Sequence, residues 1–235
     1  MHRKRLPSTA VVLPGTGSDA DFVDRTFAPA LTAAGVRVVP VEPDPRRVVG
    51  SYRDALRSAT AEAGSILVGG VSIGAAVALE WAAEHPATTF GVLAGLPAWT
   101  GRPHDAPAAA SARFTSDRLG EMGLEAVTAD MIESSPPWLG RELAKSWRSQ
   151  WPGLPDALRE AAEYHALDKV QLAELTVPVG IAAAVDDAVH PIGVACEWAA
   201  RIPRAALAAL TLDEIGADPS ALGRAAFTAL TDLLG

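Results

Sequence analysis

The sequence predicts an α/β fold, a mostly parallel sheet of about six strands flanked by helices and interrupted by a helical insertion. Three observations lead to it. Short apolar runs alternate with longer amphipathic stretches in the first part of the chain. From residue 96 to about residue 175 the periodicity is helical and no β-branched run appears. The strand and helix alternation then resumes to the end.

The elements follow in order. Runs at 10–13, 36–41, 65–69 and 88–95 read as buried strands, being short, apolar and bounded by turn residues. Between them, 20–34, 47–63 and 73–84 repeat apolar residues at helical spacing. Helical stretches around 111–119, 124–133, 138–149 and 156–166, separated by glycine and proline, fill the insertion. A strand at 178–185, a helix near 192–201, a strand at 207–212 and a last helix over 219–234 complete the chain. The expected division is a core of 8–96 and 176–235 and an insertion of 97–175. There is no internal repeat.

Composition bounds the function. A chain of 235 residues suits one core carrying an insertion, and 49% hydrophobic against 20% charged residues excludes a disordered chain. A formal net charge of −8 argues against a nucleic-acid surface. No apolar run approaches the roughly 18 residues that span a membrane. The basic run His2-Arg-Lys-Arg5 is followed only by the short apolar run 10–13 and then Pro14-Gly15, so a solvated tail rather than a signal sequence is expected. The single cysteine, Cys196, leaves no internal disulfide and fits a cytoplasmic setting. The expected partner is a small-molecule substrate, with neither nucleic acid nor membrane, and a homo-oligomer is compatible with the sequence. No histidine, cysteine and carboxylate cluster has metal-ligand spacing, and no cofactor is expected.

The stretch Ser65-Ile-Leu-Val-Gly-Gly-Val-Ser72-Ile-Gly-Ala-Ala carries the clearest chemistry. It is a G-x-S-x-G motif between a buried strand and a helix. Such a turn strains the serine backbone and leaves no room for side chains two positions to either side, which accounts for Gly70 and Gly74. Ser72 then projects its hydroxyl above the carboxyl edge of the sheet as a nucleophile. The alternative, a small-residue turn packed for structural reasons, does not explain why the motif falls at the strand-to-helix junction.

With that motif, a glycine-rich loop after the first strand, a helical insertion after the fourth and an acidic loop after the fifth, the chain resembles the α/β-hydrolase superfamily over essentially its whole length. The usual opening hairpin of that fold is missing. The resemblance implies a lid or cap for residues 97–170. It also implies that Val11-Val-Leu-Pro-Gly15-Thr-Gly17 is the oxyanion loop, with Pro14 where a histidine is usual and the backbone N–H groups of Thr16 and Ile73 as donors. In Val177-Pro-Val-Gly-Ile-Ala-Ala-Ala-Val-Asp186-Asp187-Ala-Val-His190-Pro191, the family register makes Asp187 the triad acid and Asp186 the weaker candidate. The family places its histidine after the last strand. That segment reads Leu212-Asp-Glu-Ile-Gly-Ala-Asp-Pro-Ser220, with Ala217 where Gly-His is usual.

The base must therefore come from elsewhere. His2 lies in the tail, and His85 closes the helix that follows Ser72. His104 opens the insertion and His165 ends one of its helices, so either is a candidate to face the cleft. His190, three residues past Asp187, is the leading one, because triads are recognised by geometry rather than by sequence position. Trp99, where the fourth strand enters the insertion, is expected to line the substrate pocket together with Gly15. Trp138, Trp147, Trp151, Phe114, Met122 and Met131 are expected mostly to pack between insertion helices, with some of them roofing the cleft.

Three functions are consistent with this. The first is a serine hydrolase cleaving an ester-like or related acyl bond of a small-to-medium, partly apolar substrate. The second keeps the fold but lacks a working base, leaving a small-molecule binding or regulatory protein. The third reads Gly15-Thr-Gly17-Ser-Asp-Ala20 as a dinucleotide fingerprint with Glu42 on the ribose, making an oxidoreductase. Asp19 and Asp21 weigh against the third, since they crowd negative charge where a pyrophosphate would bind.

Overall fold

The computed structural model describes residues 5–235. The basic run expected to form a tail falls outside the described residues except for Arg5, and His2 falls outside them too. The strands β1 (Thr9–Leu13), β2 (Arg37–Pro40), β3 (Ile66–Val71), β4 (Thr89–Gly95), β5 (Val179–Ala184) and β6 (Ala205–Leu210) form one parallel sheet in the order β2-β1-β3-β4-β5-β6. β1, β3 and β5 are buried at every position, as strands covered on both faces must be.

Alternate side chains feed two cores. On one face Ala10, Val12, Leu67, Leu93 and Ala182 meet Phe27 and Leu31 of α1 (Ala20–Ala33) and Leu222 and Leu230 of α10 (Ser220–Asp232). On the other face Val11, Val68, Val92 and Ile181 meet Tyr52 and Leu56 of α2 (Val48–Ala63), Val77 of α3 (Ile73–Glu84) and Trp198 of α8 (Ile192–Arg201). Each such fully buried large side chain contributes about 1.5–3 kcal/mol relative to exposure. Asp19 caps α1 by accepting the Phe22 N–H at 2.9 Å.

Between β4 and β5 run α4 (Pro107–Ser134), α5 (Pro137–Gln150), α6 (Leu154–Glu163) and α7 (Lys169–Glu174). Their buried side chains, among them Leu119, Trp147 and Leu158, join the core cluster of the α2 and α3 face. The two helices expected at 111–119 and 124–133 belong to one element broken at Gly123, whose φ of 78° and ψ of 172° interrupt the helical path. The short α7 was not anticipated. Asp168 and Gln171 cap it reciprocally, while α6 ends at Glu163 because Tyr164 turns extended, short of the expected residue 166.

The last strand is also shifted. The expected run 207–212 gives way to Ala205–Leu210 because Thr211 caps a further short helix, α9 (Leu212–Ala217), through a capping box with Glu214. Among the described residues no helix is long and apolar enough to cross a membrane.

Candidate active site

Ser72 follows directly on β3 and stands at the N-cap of α3, with φ of 55° and ψ of −116°. A non-glycine residue with positive φ is held there by its surroundings. Its N–H donates to Gly95 O at 3.0 Å, which ties it to the neighbouring strand. The flanking glycines are required by contact. A Cβ on Gly70 would stand 2.3 Å from the Gly74 carbonyl carbon, and one on Gly74 would stand 2.3 Å from Leu13 O. The helix start is thereby pressed against the end of β1.

Above this elbow the chain after β5 supplies two partners. His190 Nε2 lies 3.0 Å from Ser72 Oγ, and His190 Nδ1 lies 2.9 Å from Asp187 Oδ2. The other carboxylate oxygen, Oδ1, accepts the backbone N–H groups of Val189 at 2.8 Å and His190 at 3.0 Å. The side chains of Asp187 and His190 are only 8% and 17% exposed, and Ser72 is 8% exposed. Burial of Asp187 pushes its carboxyl upward. The hydrogen bond and charge of His190 and the two backbone donors outweigh this, holding it below the usual carboxylate range. An ionised Asp187 requires a proton on Nδ1, so Nε2 is the free acceptor that faces the serine hydroxyl.

Asp186, the weaker acid candidate, does not reach the histidine. Its Oδ1 accepts the Leu212 N–H at 2.8 Å, clipping the loop after β5 to the start of α9. Next to Ala217, where the family resemblance would put a histidine, Trp138 of α5 packs on Gly216, so closely that a Cβ there would come within 2.2 Å of the indole. His104 and His165 are exposed, and His85 stacks on Trp81 with ring centroids 3.9 Å apart. Among the described residues, His190 is the histidine hydrogen-bonded to Ser72.

The loop after β1 closes the site from the other side. A Cβ on Gly15 would lie 3.5 Å from Ser72 Cβ. The fully buried Tyr52 hydroxyl donates to Pro14 O at 2.9 Å, and Ser18 N–H closes a turn onto Gly15 O at 3.0 Å. Sequence reading did not single out Tyr52, whose partner lies 38 residues away. The N–H groups of Thr16 and of Ile73, the first residue of α3, take no acceptor among the described residues. An unspent donor at a helix start, as on Ile73, favours developing negative charge.

The glycine edge that a dinucleotide would need is occupied. Trp147 lies against Gly17, Ser146 Oγ donates to Gly17 O, and Glu42 Oε2 accepts the Ala20 N–H at 3.0 Å. Trp99, expected at the pocket, is 6% exposed in the core, and its indole donates to Tyr164 O at 3.1 Å at the root of the insertion. The structure gives it packing contacts there. Among the described residues no three histidine, cysteine or acidic side chains cluster as a metal site would require.

No family model matches the sequence, and comparison with curated proteins finds no match. Solved structures do match. A thermophilic esterase from Thermogutta terrifontis superposes with a TM-score of 0.72 at 17% identity, covering 98% of this chain and 92% of that one. MenH from S. aureus gives 0.72 at 16%, covering 98% and 96%. A hydrolase from Pseudomonas aeruginosa gives 0.68 at 21%, covering 97% and 91%. With the parallel six-stranded sheet and the helices on both faces, these likenesses establish that the chain has the α/β-hydrolase fold.

Proposed function

We propose that the protein is a serine hydrolase acting on an ester-like or related acyl bond of a small-to-medium, partly apolar substrate. The observation that carries this reading is the unbroken hydrogen-bond chain from Asp187 through His190 to Ser72. Ser72 Oγ attacks the acyl carbon while its proton passes to His190 Nε2, and Asp187 stabilises the imidazolium. The oxyanion forms against the N–H groups of Thr16 and Ile73. His190 then protonates the leaving group, and water, activated by the same imidazole, releases the acid. Residues 97–175 act as the cap, and their apolar side chains keep water from the acyl-enzyme. A cytoplasmic setting is part of the proposal, supported by the single free cysteine, Cys196.

Labelling with a fluorophosphonate tests this without knowledge of the substrate. The unmodified chain is expected to label at neutral pH, Ser72→Ala not at all, and His190→Ala about 10³-fold more slowly or less. A folded, unlabelled wild-type chain sinks the proposal, as does labelling that survives Ser72→Ala.

A further inference from the structure

The loop after β1 is gripped at three successive residues by α5. Ser146 Oγ donates to Gly17 O, Gln150 Nε2 donates to Ser18 O at 2.9 Å, and Lys145 Nζ pairs with Asp19 Oδ2 at 3.0 Å. Ser146 is 1% exposed, and its bond to Gly17 O is buried. Ser146 Oγ also lies 3.3 Å from Leu143 O in its own helix, but a hydroxyl carries one proton and Gly17 O is the nearer acceptor.

The three grips differ in what lies behind them. Gly17 O and the Ser18 N–H belong to one peptide unit, and that N–H donates to Gly15 O at 3.0 Å, closing a turn in which Gly17 takes a φ of 69°. Gly15 O and the Thr16 N–H belong to another peptide unit, and this second N–H takes no acceptor among the described residues. A hydrogen-bonded line therefore runs from Ser146 through two peptide units to the free N–H of Thr16, the residue after Gly15, which abuts Ser72. In a planar trans peptide the C=O and the N–H point in opposite directions, so a donor on the oxygen both aims the N–H and polarises it. Ser18 O, held by Gln150, belongs to the peptide unit that follows and stands outside this line.

We infer that Ser146 is a positioning residue for the oxyanion hole, its hydroxyl aiming and polarising the Thr16 N–H through the two intervening peptide units. This rests on the serine-hydrolase reading and gives the insertion a part in the chemistry. α5 belongs to that insertion, so the Thr16 donor reaches full strength only with the insertion seated on the loop. Without the Ser146 proton, the Gly17 carbonyl loses its donor, and the turn that presents Thr16 is closed by the Ser18 bond alone.

The rate of fluorophosphonate labelling tests this, because phosphonylation of Ser72 places an oxygen in the same hole. Labelling over a range of probe concentrations separates the maximal rate constant, kinact, from the half-saturating concentration, KI. Ser146→Ala is expected to lower kinact about tenfold with KI within about twofold, a fraction of the roughly 10²–10³-fold loss that follows removal of an oxyanion donor outright. Ser146→Cys, which keeps a weak donor of similar size, is expected to fall between wild type and Ser146→Ala. Gln150→Leu removes the neighbouring grip but not the line, so it is expected to lower the melting temperature while kinact stays within about twofold. An unchanged kinact in Ser146→Ala, or equal losses of kinact in Ser146→Ala and Gln150→Leu, overturns the inference. Should Ser146→Ala not fold, Ser146→Cys decides, and a wild-type kinact in it overturns the inference. These outcomes leave the hydrolase reading standing, whereas an unlabelled wild-type chain overturns that reading and this inference with it.

Discussion

His190 and Asp187 belong to one turn: the carboxylate accepts the backbone N–H of His190 through Oδ1 and its ring Nδ1 through Oδ2. The proposed acid and base are thus fixed to each other before either meets Ser72. In the arrangement that the family resemblance implies, the two come from separate loops, and their alignment depends on how two strand ends are spaced. Here the spacing of three residues sets it, and only the contact with Ser72, across 118 residues, depends on the tertiary fold.

Asp187→Asn separates the charge from the geometry. The asparagine oxygen can still accept the two backbone N–H groups, so the turn is expected to hold, with stability lowered only by the lost ionic hydrogen bond to His190. The imidazole loses the partner that fixes its tautomer and stabilises its positive form. The expected outcome is a fall in kcat of about 10³–10⁴-fold with little change in KM on a p-nitrophenyl ester. A loss under tenfold would remove Asp187 from the proposed mechanism.

The same residue makes stability depend on pH in a defined direction. Its folded-state carboxyl titrates below the ordinary aspartate value, so the unfolded chain binds its proton first as the pH falls. The stabilisation is complete above that value and is lost as the pH drops through the lower folded one. Urea unfolding of wild type and Asp187→Asn between pH 7 and 3 checks this. The difference in unfolding free energy should be flat down to about pH 5 and shrink below about pH 4. A difference that grows on acidification would contradict the assignment.

The core strands and helices were legible in the sequence because each rests on local periodicity, and the Ser72 elbow because strand, motif and helix are contiguous. Gly123 was legible as a break, though not as a bend within one element. The signal for α9 was present in Thr211 and Glu214, but a capping box with one turn of helix behind it reads as loop until β6 fixes where the chain leaves the sheet. The partners of Ser146 and Tyr52 were beyond reach. Ser146 meets Gly17 across 129 residues and Tyr52 meets Pro14 across 38, and no periodicity encodes such pairings. His190 came from elimination and from its nearness to Asp187, which the shared turn explains.

Asp186 and Asp187 are adjacent and do different work, so their alanine variants should part sharply. Asp186→Ala frees the Leu212 N–H at a solvent-exposed site and is expected to cost about 0.5–1.5 kcal/mol, with kcat reduced only a few-fold. Hydrogen exchange at Leu212 should quicken. Asp187→Ala should abolish most activity and, by freeing the Val189 and His190 N–H groups at a buried carboxylate, should cost at least as much stability. Equal losses of activity in the two variants would mean that the loop as a whole, rather than the Asp187 carboxylate, carries the effect.

Tyr52→Phe tests whether the loop after β1 must be held from beneath. The hydroxyl is fully buried, and its acceptor, Pro14 O, immediately precedes the Gly15-Thr16 segment that faces Ser72. Removing it leaves a buried carbonyl without that donor, at an expected cost of about 1–3 kcal/mol. Because Pro14 is two residues from Thr16, loosening it lets the Thr16 N–H drift from the oxyanion. A misplaced donor weakens the transition state more than the ground state, so kcat should fall about tenfold with KM nearly constant. Loss of stability at unchanged kcat would show that the hydroxyl supports only the fold and that the loop keeps its place without it.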